Sequence, residues 1–95
     1  MHDVLKAVSK YYTLPIADIK SKKRSKDVAT VRQIAFYLMK KLTYSPLQAI
    51  GEYVGKRNHS TVIHALAKIE LMMKRDVGLA EKIAAIEHDI VTRSL

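Results

Sequence analysis

The sequence predicts an all-α fold of five or six helices, two of them paired as a helix-turn-helix, and three observations carry that expectation. Apolar residues recur at three- and four-residue steps along most of the chain, no segment alternates with period two for long enough to make a strand, and the few glycines and prolines fall between the periodic stretches. With 95 residues, 48% of them hydrophobic and 27% charged, the chain suffices for one core and not for two, so residues 1–95 are read as a single domain.

Leu5, Val8 and Tyr12 keep a helical spacing from Val4 onward, and Leu14-Pro15 ends it, because the residue before proline is pushed out of the α region. The first helix is therefore predicted over 2–12. Ile16 to Ile19 form a short helical turn, and residues 20–26 read as a basic loop. Asp27 is placed as the cap of the next helix, in which Val28, Val31, Ile34, Ala35, Leu38 and Leu42 make one apolar stripe. Thr43 and Tyr44 break that helix. Ser45-Pro46-Leu47-Gln48 then offers an N-cap serine, a proline at the first helical position and a glutamine three residues after the cap, opening a helix over about 46–54. Gly55 stands where a left-handed residue is wanted at its end. Asn58 offers a second cap, and Val62, Leu66, Ile69 and Met73 line one face of a helix ending near Arg75. Gly78 is expected to separate it from a last helix, whose Leu79, Ile83, Ile86 and Ile90 step by four, three and four.

Seventeen Lys and Arg against nine Asp and Glu give a net charge of +8. All of the excess lies in residues 1–57, with twelve basic and four acidic side chains, whereas residues 58–95 hold five of each. So large an excess on so small a body makes a polyanion the leading partner class, with nucleic acid ahead of an anionic membrane surface. The densest run is Lys20, Lys22, Lys23, Arg24 and Lys26, and its counterpart is Lys56-Arg57. A basic run standing alone reads equally well as a solvated loop. Two of them beside predicted helix starts favour phosphate, because the free backbone N–H groups there attract anions too.

The segment over about 46–74 is a helix-turn-helix: a short helix, a tight turn over Gly55 to Arg57, and a longer helix from Asn58. Gly51, lacking a side chain, would let the second helix approach closely, with Ile50 and Val54 turned into the core beside Val62 and Leu66. This motif presents the first turn of its second helix to the major groove, about 12 Å wide, while the first helix crosses the backbone. Asn58, His59, Ser60 and Thr61 occupy that turn, and all four carry short or flat polar side chains suited to base edges. The alternative is that Asn58 and Ser60 merely cap the helix and His59 is a surface residue.

At these residues the sequence resembles a known family. The stretch from Ile50 through Gly51-Glu52-Tyr53-Val54-Gly55-Lys56-Arg57-Asn58-His59-Ser60-Thr61 to Ile69 is similar to the signature of the C-terminal DNA-binding domain of the bacterial chromosomal replication initiator DnaA. Upstream, Ser21-Lys22-Lys23-Arg24-Ser25-Lys26 followed by Val28-Ala29 and Arg32-Gln33 looks like that family's basic loop and the helix after it. The resemblance covers roughly residues 3–90. It implies a Trp-repressor-like helical fold, a double-stranded DNA partner carrying short asymmetric origin-type boxes, and one monomer per box. Carried over residue by residue, it implies that Arg24 enters the minor groove and that His59, Ser60 and Thr61 read major-groove edges and thymine methyls, with Asn58 beside them. It implies phosphate contacts for Lys22, Lys26, Lys40, Arg57 and Lys68. Asn58 stands where the family usually has Asp, Ser60 where it has a second Thr, and Thr30-Val31 where it commonly has a basic or apolar residue and a Pro.

Other chemistries find less support. Gly51-x-x-x-Gly55-Lys56 falls one residue short of a phosphate loop between its glycines and has Arg57 where Ser or Thr would hold Mg²⁺, so no ATP, and no other cofactor, is expected. With no cysteine, and with His59 and His64 five apart on different helix faces, no metal site is expected either. The scattered single carboxylates offer no paired-carboxylate hydrolase, and an enzyme is not predicted. Residues 1–12 interleave charge with apolar positions, so neither a secretory signal nor a membrane span is expected, and the expected place is the cytoplasm, at the nucleoid. Two other partner readings remain: a Trp-repressor-like regulator, which would need a dimer and an effector pocket, and an RNA-associated basic protein. The second lacks the aromatic platform or G-x-x-G loop of the common RNA modules.

Overall fold

A computed structural model describes residues 1–93. Its elements are α1 (His2–Tyr12), α2 (Ile16–Lys20), α3 (Lys26–Leu42), α4 (Leu47–Tyr53), α5 (His59–Arg75) and α6 (Val77–Arg93), with no strand among the described residues. The fold class is as the periodicity predicts.

Helix α3 is the axis of the molecule, because its stripe is wide enough to face every other helix, and α1, α2, α4, α5 and α6 all pack against it. From it Val31, Ile34, Ala35, Phe36, Leu38 and Met39 are buried. They meet Leu5 and Val8 of α1, Ile50 of α4, Val62 and Ile69 of α5, and Ile83 and Ile86 of α6 in one continuous core. Each such side chain contributes about 1.5–3 kcal/mol by leaving water. Helix α6 lies on α1, α3 and α5 and touches neither α2 nor α4, so the loop side of the molecule is left uncovered.

Three helix starts differ from the sequence expectation. Asp27 does not cap α3; Ser25 holds the N-cap position with extended backbone, and Asp27 falls in the first turn, where its charge suits the helix dipole. Helix α4 begins at Leu47, not Pro46, and neither Ser45 nor Gln48 makes a capping box. The Thr43 hydroxyl takes over that corner, donating to the Met39 carbonyl at 2.6 Å and accepting from the Ser45 N–H at 3.3 Å. Gly78 does not separate the last two helices. The break is at Asp76, whose carboxylate accepts from the Leu79 N–H at 3.1 Å, and Gly78 sits inside the first turn of α6.

The cap at Asn58 does form: its Oδ1 accepts from the Thr61 N–H at 3.0 Å and from the Thr61 hydroxyl at 3.1 Å. Replacing it by alanine should cost about 1 kcal/mol. Thermal unfolding followed by circular dichroism should then show Asn58→Ala melting roughly 4–8 °C lower and Asn58→Asp unchanged. Equal melting of all three proteins would show that the bond contributes nothing.

Candidate nucleic-acid interface

The turn between α4 and α5 is built from backbone conformations few side chains adopt. Gly55 has φ of 81° and Lys56 follows at 57°, both left-handed. They let the Lys56 N–H bond the Glu52 carbonyl at 3.1 Å and the Arg57 N–H reach back over six residues to the Gly51 carbonyl at 2.7 Å, which closes the end of α4. Gly51 is buried directly beneath this turn. A β-carbon there would collide with the Arg57 carbonyl oxygen and stand 3.2 Å from Val62 Cγ2, so the glycine is what lets α4 and α5 meet.

Asn58, His59, Ser60 and Thr61 all lie exposed on the cap and first turn of α5, while Val62 behind them is fully buried. The polar turn faces out because the apolar stripe of the same helix faces in. Farther along α5, Lys68 is exposed and shares with Thr61 and His64 a shallow groove whose other wall is Arg32, Gln33 and Phe36 of α3. Lys40 lies in a different groove, with Tyr37 and Lys41 of α3 and Leu66 and Glu70 of α5. The structure therefore brings Lys68 beside the polar turn's own helix face and sets Lys40 apart from it.

The basic loop is tied to the turn between α4 and α5 at three points. Lys20 Nζ lies 4.4 Å from the centre of the Tyr53 ring, the Lys20 carbonyl packs beside Gly55, and the Ser21 carbonyl accepts from Arg57 Nη2 at 2.5 Å. Arg57 also donates from Nη1 to the Val54 carbonyl at 2.6 Å, so its guanidinium bridges loop and turn. Beyond Ser21 the loop turns outward, and Lys22, Lys23, Arg24 and Lys26 are exposed. Lys23 forms an ion pair with Asp18 at 3.2 Å, which leaves Lys22, Arg24 and Lys26 outside the three ion pairs found among the described residues.

Arg32, which the sequence reading named only as part of a pattern, is central here. It is buried on α3 and donates to four carbonyls: Ile19 at 2.7 Å, Ser21 at 2.8 Å, Lys23 at 3.1 Å and Asp18 at 3.4 Å. Burial, and then the neighbouring Arg57 charge, lowers its proton affinity below the usual guanidinium range, and burial does the same to Arg57. The signal was present in the sequence: position 32 is four residues after Val28 and so falls on the buried stripe, where a charged side chain needs partners.

No three of the described His, Asp and Glu residues come together as metal ligands, and no described helix is long and apolar enough to cross a membrane. The arrangement is an exposed polar helix turn set beside an outward-facing cationic loop, a shape and charge that suit a polyanion with readable edges. The family model for the bacterial dnaA protein helix-turn-helix matches residues 1–69 of this chain.

Proposed function

We propose a function from one premise: the chain belongs to the bacterial dnaA protein helix-turn-helix family. That is a family of DNA-binding domains, not of catalysts, and DNA is the partner that follows. The finer reading is that residues 1–95 act as one unit, a single monomer binding a short asymmetric box of the kind found at replication origins. Asn58, His59, Ser60 and Thr61 enter the major groove and Arg24 reaches the adjacent minor groove, where a narrow A·T-rich stretch attracts a guanidinium. Lys22, Lys26, Lys40, Arg57 and Lys68 hold phosphates, Arg57 while also spanning the Ser21 and Val54 carbonyls. The observation that supports this best is the bond from Arg57 to Ser21, which docks the basic loop against the turn that opens α5. Two DNA-contacting segments distant in sequence thereby face one surface.

The test is a gel mobility shift with a box selected from a randomised duplex pool, set against random duplex and against RNA of equal length. The selected box should bind tightest and as a one-to-one complex. About five phosphate contacts imply a slope of log K against log salt of roughly −4 to −5. Equal affinity for box and random duplex would overturn the box reading, and a slope near −1 would overturn the phosphate assignments.

A further inference from the structure

Resting on the DNA-binding reading above, we infer that Arg32 and Arg57 form a two-guanidinium clamp that fixes the basic loop against the helix-turn-helix before DNA arrives, so that Arg24 and the first turn of α5 meet one duplex in register. Both donate to the same carbonyl, that of Ser21, from opposite elements: Arg32 from α3 at 2.8 Å and Arg57 from the α4–α5 turn at 2.5 Å. Arg32 further gathers the carbonyls of Asp18, Ile19 and Lys23, so the end of α2 and the first half of the loop converge on one side chain that is only 8% exposed. The side chains of Lys22 to Ser25 are exposed, and that stretch makes no regular structure. Its position is set where its carbonyls are held.

The chemistry of the clamp is specific to arginine. A planar guanidinium carries five donors in a fixed fork and can serve four carbonyls at once, whereas an ammonium offers three donors from one point. The charge has a further consequence. Among the described residues neither guanidinium pairs with a carboxylate, since Asp18 gives its carboxylate to Lys23 and only its carbonyl to Arg32. Two neighbouring cations without a counter-ion repel each other in the free protein, and approaching phosphates offset that repulsion. Arg32 is thus a positioning residue: it acts on base reading through the loop, and its contacts are with the chain.

Arg32→Lys keeps the charge and cannot span the four carbonyls. With helical content unchanged by circular dichroism, affinity for random duplex should stay within about twofold and the salt slope should not move, because both depend on charge number. The ratio of box to random affinity should fall about tenfold or more, as loop and helix no longer fit one site together. Trypsin cleavage after Lys22, Lys23 and Arg24 in the free protein should accelerate about tenfold, reporting the freed loop directly. The unmodified protein gives a check that needs no folded variant. Its loop should resist trypsin without DNA, and rapid cutting there that ceases only on adding DNA would overturn the clamp. An unchanged box-to-random ratio in Arg32→Lys would also overturn it, with the DNA-binding reading left standing. Equal losses on both duplexes in Arg32→Lys, with Arg32→Ala shallower in slope by about one, would make Arg32 a phosphate contact and overturn its positioning role. Should the unmodified protein show no preference for any box, the box reading fails, and the trypsin result alone decides the clamp.

Discussion

Gly51→Ala is expected to lower the melting temperature by roughly 8–16 °C. Two effects oppose each other at this position. Alanine in place of glycine inside a helix stabilises by about 1 kcal/mol. The added methyl, however, would overlap the Arg57 carbonyl oxygen, and that oxygen belongs to a backbone already fixed by the bond from the Arg57 N–H to the Gly51 carbonyl. Relief therefore requires α4 to move away from the turn, not a side chain to rotate, which puts the cost at the upper end of the overpacking range, about 3 kcal/mol. The clash outweighs the propensity. Circular dichroism against temperature decides the sign, and a variant that melts higher than the parent would show that α4 and α5 do not depend on contact at this glycine.

Arg24→Ala should reduce the affinity for a selected box by about 1–3 kcal/mol while changing random-duplex affinity far less. Its guanidinium is exposed on a loop whose root is held, so under the proposed reading its loss would remove a contact to DNA without removing a contact in the protein. Lys40→Ala is the comparison, because an ammonium on phosphate senses charge alone and should weaken both duplexes alike. Titrations of both variants on both duplexes separate the two behaviours. Equal weakening by Arg24→Ala would remove it from the residues that read sequence.

Much of this architecture is legible in the sequence because the information is periodic or steric. The stripe of α3, the left-handed Gly55 and the cap at Asn58 all follow from a single residue type at a single spacing, and the structure has them where that spacing puts them. Helix starts were less legible, since several polar residues compete for each. Near α3, Ser25 and Asp27 stand two apart and only the tertiary path of the loop decides which is the cap. At the start of α4, the hydroxyl of Thr43 had already engaged the Ser45 N–H. Gly78 misled for a different reason: glycine weakens a helix interior, but in the first turn its cost is small beside the carboxylate cap at Asp76. The fastening of the basic loop lay furthest out of reach. It joins Arg32 and Arg57 to carbonyls eleven and thirty-six residues away, and backbone acceptors carry no sequence signature.

Helix α6 covers α1, α3 and α5 and touches neither α2 nor α4, and residues 58–95, which include it, hold five acids and five bases. The uncovered loop side therefore carries a cationic cluster, Lys22, Arg24 and Lys26, that none of the described ion pairs neutralises. At physiological salt a screening length of about 8 Å is short compared with the molecule's 24 to 31 Å extents, so a polyanion at the far side senses little of the cationic loop. If the proposed interface holds, encounters from the loop side would be oriented before contact, raising the association rate and not merely the residence time.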